Sequence, residues 1–176
     1  KAYKKMYKAE FAETEPTLSF SCKKAVTPPK VMSKSDQYKI IRSIFACPNA
    51  VQRMSHAMKG LVETSNNLAI VRCSKGKFIV NNLTRSSVDS AKEATAWKIA
   101  AVFHLIDAKV TLTGSYPGWK PNMASPVLKT MSGVYNKMYG KVPEIKAIHA
   151  GLECGLIGGV YPNLGMISFG PTIRYP

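Results

Sequence analysis

Two β-rich runs, LAIVRC and FIVNNLTR, flank the tetrapeptide SKGK at residues 74–77. A glycine turn between two such runs specifies an antiparallel hairpin, which constrains the fold more than any other local feature. Helical patterns stand on either side. In SDQYKIIRSIFACP, Ser35 is a candidate N-cap, Ile40, Ile41, Ile44 and Phe45 make an apolar stripe, and Pro48 ends the helix. After the hairpin, Ser86 or Ser87 is placed to cap a long helix, with Asp89 in its first turn. Val88, Ala91, Thr95, Ile99, Val102, Phe103 and Ile106 share one face of that helix and form a core stripe.

Alternating segments extend the pattern outward. TLSFSCKKAV, at 17–26, and AKVTLTG, at 108–114, both read as strands, and the prolines of TPPK stop the first. The stretch from Asn49 to Glu63 reads as irregular, with room for a short strand and a loop. Taken together, residues 17–114 run β-α-β-β-α-β. The expected fold is therefore α+β, a ferredoxin-like split βαβ arrangement. The opening KAYKKMYKAEF reads as the last turns of a helix, and its first residue suggests a chain that begins inside a longer protein.

SYPGWKPNMAS, at 115–125, breaks the composition and marks a linker. Beyond it Ser125 and Pro126 suit a helix start and Gly140 a helix stop. Val127, Leu128, Met131, Val134, Tyr135 and Met138 are the expected buried face between them. EIKAIHA reads as a buried strand, GLECGLIGG as a turn into a short helix, and LGMISFG as a further strand. Two strands and two helices do not complete a doubly wound sheet, so this part is expected to belong to a larger α/β domain. The division expected is 1–116 and 117–176.

A formal charge of +15 invites a nucleic-acid reading. The lysines argue against it: Lys1, Lys4, Lys5 and Lys8 lie on the first helix, Lys23, Lys24, Lys30 and Lys34 flank the proline turn, and the rest are scattered. RNA-recognition octamers and zinc knuckles are absent. A basic nucleic-acid-binding module remains the alternative from another functional class. No apolar run is long enough to cross a bilayer, and the basic N-terminus has no apolar segment behind it. Cys22, Cys47, Cys73 and Cys154 form no CxxC pair and read as buried, reduced thiols of a cytosolic protein.

A complete catalytic set is not visible. His56, His104 and His149 stand in neither HxD nor HExxH patterns, and Asp36 and Asp89 are explained by helix starts. His56 falls in a loop, and His149 ends an expected strand where α/β sites lie. Arg85 ends a strand just before a helix, where rigid backbone can aim its guanidinium at a carboxylate. A surface ion pair would explain it equally well.

AIHAGLECGL and YPNLGMISFGPTIRYP resemble the C-terminal signature of aminoacyl-histidine dipeptidases. GLVETSNNLAIV, TRSSVDS and GSYPGWKPN resemble lid segments of the same family, in the same order. The likeness runs from about Val51 to Pro176 and is weaker before it, carried there by AEFAETEPTLSFS. The resemblance implies a co-catalytic metallopeptidase with two Zn2+ in the full-length enzyme and an inserted α+β lid that takes part in a homodimer. It implies a cytoplasmic hydrolase that cleaves Xaa-His dipeptides with metal-activated water. Residues 1–116 would be the lid and 117–176 part of the catalytic domain. The metal ligands would lie outside this stretch, the last one shortly beyond Pro176, so no metal is expected here and the chain alone should be inactive. By the same resemblance Arg85 would grip the substrate's C-terminal carboxylate and Gly151 would line the pocket. Glu153 and His149 would support the metal site from behind. A parent that has lost its ligands would leave a dimerisation scaffold instead.

Overall fold

In the computed structural model the described residues are 2–120, 122–147 and 152–170. They form α1 (Ala2–Glu10), α2 (Lys34–Ala46), β1 (Ala50–Met54), β2 (Val62–Ser74), β3 (Lys77–Ser86), α3 (Asp89–His104), α4 (Pro126–Tyr139) and α5 (Leu152–Val160). The chain divides into two compact units, Lys1–Met32 and Ser33–Pro176.

The first unit holds α1, as expected from its sequence. Tyr3, Tyr7 and Phe11 recur at four-residue spacing and stack along one side of the helix, at 6.5 and 6.2 Å between ring centroids. Phe20 joins the stack on Tyr7 at 6.1 Å. Residues 17–26 carry no strand, although their alternation suggested one.

The second unit is organised by an antiparallel sheet in the order β1-β2-β3. Ser74 pairs with Lys77, so Lys75 and Gly76 alone make the turn. Both have positive φ, 50° and 71°, which is the two-residue I′ geometry that matches strand twist. Even-numbered residues of β3 face the helices. Phe78 and Val80 pack with Leu68 against the buried Cys47, Ile99 and Phe103. The core stripe of α3 is as the sequence requires, with Ala91, Thr95, Ile99 and Phe103 all buried.

Nearer Arg85 the same face turns polar. Asn66 is only 2% exposed and Thr64 1%. The Asn66 amide donates to the Pro48 carbonyl at 2.7 Å and to Asn82 Oδ1 at 2.8 Å, and its oxygen accepts from the Thr84 hydroxyl at 2.9 Å. Thr64 and Ser86 share a hydroxyl bond of 2.8 Å. Every buried side-chain polar atom among the described residues has a partner.

The starts of α2 and α3 depart from the expected caps. Ser33, not Ser35, caps α2: its Oγ accepts from the Asp36 amide and donates to the Asp36 carboxylate, a reciprocal box. At α3 the N-cap is Val88, without a side-chain bond. Ser86 is committed to Thr64 and to the Val88 amide, which explains why it caps nothing further along. Ser125, Pro126 and Gly140 bound α4 as expected, Gly140 with φ 67°.

The split βαβ order is not completed. Residues 108–114 form no strand, yet Ala108 and Val110 pack on the core, so the burial was legible and the ladder was not. A strand expected at 144–150 is absent over 144–147, the remainder lying outside the described residues, and 164–170 is irregular too. The architecture is α+β with a three-stranded sheet. On α2, Ile41 and Phe45 are exposed, and Ile40, Ser43, Ile44 and Cys47 form the inward side instead. The α4 stripe is not a buried face: Val127, Leu128 and Met131 are half-buried, and Val134, Tyr135 and Met138 are exposed.

The linker at 115–120 is held, not loose. Asp89 accepts from the Gly118 amide at 2.9 Å and pairs with Lys92 at 2.7 Å, and Lys92 also donates to the Tyr116 carbonyl. The bond from Lys92, then that from Gly118, holds the Asp89 carboxyl below its ordinary value.

Two outcomes follow from these contacts. Replacing Asn66 by alanine strands Asn82, Thr84 and the Pro48 carbonyl. It should destabilise the chain by about 2–3 kcal/mol, seen as a lower urea midpoint with unchanged slope. The Asp89 carboxyl is depressed in the folded state, so its stabilisation is present above the usual carboxylate value and fades as pH falls through that value and below. Asp89→Asn should flatten the acid limb of a stability-against-pH curve by a small amount, because the carboxylate is half-exposed.

Candidate functional site

Arg85 is the last but one residue of β3 and pairs with Ser65 of β2, which in turn pairs beyond it with Val51 of β1. Odd-numbered residues of β3 point away from the helices. Arg85 therefore stands on the uncovered face of the sheet, exposed, beside Leu83 and Ile79, which are 49% and 47% exposed. Among the described residues its guanidinium makes no hydrogen bond or ion pair. A rigid strand thus presents a five-donor fork to the exterior, suited to a planar carboxylate.

Arg53 pairs with Glu63, whose side chain is buried. With Ser55, His56, Ser87 and Lys120 they border a cavity of about 360 Å³. His56 thus lies in a polar recess, close to a carboxylate already neutralised by arginine. His104 ends α3 and is exposed, as a surface role requires.

Glu153 lies in the first turn of α5 and is exposed. A carboxylate there complements the positive end of the helix. His149 and Gly151 lie outside the described residues. Among the described residues no three His, Cys, Asp or Glu side chains converge to hold a metal ion. The donor set of a two-metal centre therefore does not fit the described residues.

The cysteines correct a simpler expectation. All four are free, but only Cys47 is buried, its thiol pushed up by that burial. Cys22 and Cys73 are exposed.

Sequence reasoning missed the joint between the linker and its neighbours. A side chain at Gly118 would put its Cβ 2.7 Å from the Ser87 carbonyl carbon and oxygen, and one at Gly155 would put it 2.5 Å from the Pro117 oxygen. The small residues in YPGW and LECG were the available signal, since both glycines sit where backbone meets backbone.

No family model matches the chain. It is 36% identical over 174 residues to the cytosol non-specific dipeptidase of Escherichia coli (strain K12), covering 99% of this chain and 36% of that protein. The crystal structure of aminoacylhistidine dipeptidase from Vibrio alginolyticus superposes with a TM-score of 0.89 at 38% identity, again covering 99% of this chain and 36% of that one. The chain is a homologue of the peptidase D-like dipeptidases, related to them over nearly all of its own length and a little over a third of theirs.

Proposed function

We propose that this chain is part of a cytoplasmic metallodipeptidase that hydrolyses Xaa-His dipeptides, and that its α+β portion serves as the lid. Residues 1–116 would form that lid and 117–176 a part of the catalytic domain. The observation that carries the reading is Arg85, a guanidinium fixed at a strand end on an uncovered sheet face and without a partner among the described residues. In this reading Arg85 binds the C-terminal carboxylate of the dipeptide through paired N–H donors. The bond energy is spent on holding the substrate, so it orients the peptide carbonyl for attack without touching it.

Two zinc ions in the whole enzyme would supply activated water. Their ligands would come from other parts of the longer protein, with His149 and Glu153 supporting them. Gly151 would let the substrate approach closely. The two relatives support the reaction class, one named for non-specific dipeptides and the other for aminoacyl-histidine. Homodimerisation through the lid is consistent with β1 and β3, each of which leaves one edge without a neighbouring strand among the described residues.

In the whole enzyme, Arg85→Ala should raise KM for alanyl-histidine about 10- to 100-fold and leave kcat within a few-fold, the loss of one charge-assisted carboxylate contact. Steady-state kinetics decide this, and an unaltered KM would remove Arg85 from the substrate pocket. The 176-residue chain given zinc and alanyl-histidine should release no free histidine above background. Turnover in that assay would show that the reactive groups are all present in it.

A further inference from the structure

The proline-glycine linker touches both the end of the strand carrying Arg85 and the helix carrying Glu153. Gly118 rests on the backbone of Ser86 and Ser87, just past Arg85. A Cβ there would meet Ser87 carbon and oxygen at 2.7 Å and Ser86 oxygen at 3.1 Å. One residue earlier, Pro117 rests on α5. Its carbonyl oxygen lies 2.5 Å from where a Cβ of Gly155 would stand, and its ring lies 3.4 Å from that of Gly159. Neither Gly118 nor Gly155 has positive φ, unlike Gly60, Gly76, Gly114 and Gly140. Glycine is required at these two positions by closeness, not by backbone conformation.

Polar contacts lock the same stack. Asp89 takes the Gly118 amide at 2.9 Å, and Lys92, bound to Asp89 at 2.7 Å, reaches the Tyr116 carbonyl. Lys92 is well packed, its side chain 15% exposed, although its charge is on the surface side of the helix. The path from Arg85 to α5 is thus Ser86–Ser87, Gly118, Pro117, Gly155, with no side chain inserted at either crossing. Backbone-to-backbone seats of this kind have little slack, because any compliance would have to come from bond angles and peptide planes.

We infer that Asp89, seated with Lys92 against Tyr116–Gly118, is a positioning residue that fixes the distance between Arg85 and the start of α5. The inference rests on the reading of Arg85 given above. If the guanidinium grips one end of a dipeptide and chemistry occurs near the start of α5, their separation measures substrate length. A joint that held this separation would favour dipeptides over longer peptides. Loosening it would weaken the grip on the carboxylate without altering the reactive groups.

A double-mutant cycle in the whole enzyme tests this, with kcat and KM for alanyl-histidine measured for Asp89→Ala, Arg85→Ala and the pair. Asp89→Ala should raise KM about fivefold with kcat preserved, the scale of one hydrogen bond. The pair should match Arg85→Ala alone, because a positioning residue has nothing left to position. Lys92→Met should raise KM in the same direction, and Asp89→Asn, which keeps an acceptor for Gly118, should recover part of the loss. These two variants carry the test if Asp89→Ala does not fold. A KM effect of Asp89→Ala that multiplies fully with that of Arg85→Ala overturns the inference and leaves the Arg85 reading intact. So does a fall in kcat with KM unchanged. An inert Arg85→Ala removes the reading itself, and the positioning role falls with it.

Discussion

The pairing register of β2 with β3 is the constraint on which the second unit depends. Ten residue pairs run from Thr64↔Ser86 to Ser74↔Lys77, closed by a turn of two residues. Because side chains alternate across a strand, a slip of one residue would carry Arg85 inward and put Thr84 and Asn82 into solvent. Two features forbid that slip. The Lys75-Gly76 turn accepts only positive φ at both positions, and the Asn66 amide is matched to acceptors at Pro48 and Asn82 on opposite sides. The first fixes the strand ends covalently. The second fixes the end near Arg85 by hydrogen bonds that a one-residue slip would break.

The buried polar patch also explains how the sheet can hold the charged side chain of Arg85 at its end. Toward the turn, Leu68, Phe78 and Val80 pack on Ile99 and Phe103, and apolar burial holds the layers together. Toward Arg85 the layer between sheet and α3 is filled by Thr64, Asn66, Thr84 and Ser86, with Thr95 bonded to its own helix at Ala91. Hydroxyls and amides with fixed partners resist sliding more than methyl groups do, because sliding breaks directional bonds. Specificity of position is thus concentrated where Arg85 needs it. Apolar burial is concentrated at the opposite end.

What the sequence made legible follows from how local each signal is. The hairpin, the α3 stripe and the Ser125-Pro126 and Gly140 limits of α4 depend on a few adjacent residues, and all appear where expected. Strands expected at 17–26, 108–114 and 164–170 depended on alternation alone, which records a half-buried surface but not a partner to pair with. Val110 shows the difference, since it packs on the core from an irregular segment. The caps failed for a related reason. Ser86 is a competent N-cap residue, but Thr64, twenty-two positions earlier, claims its hydroxyl across the sheet. Arg85 was legible as a candidate, and its uncovered setting was not, because facing depends on register. His149 and Gly151 lie outside the described residues, so their part of the reading still rests on resemblance.

The apolar side of α4 shows how far burial within the chain can go. Val134, Tyr135 and Met138 continue the stripe begun by Val127 and Leu128, yet their exposure rises to 68% at Met138. Tyr135 and Tyr139 lie against each other at 4.7 Å, which shields part of each ring but does not cover the helix. Residues of α5 and the segment at 164–170 border the same broad groove. Leaving such a stripe in water costs about 25 cal/mol for each Å² of apolar surface, so a helix with this pattern is selected for contact with more protein. The relatives that this chain matches are nearly three times its length, since it covers 36% of each. The pattern of α4 is therefore intelligible as one wall of a larger core. The sheet with α2 and α3 has its own core and polar lock, and the Pro117–Gly118 joint ties that layer to α5.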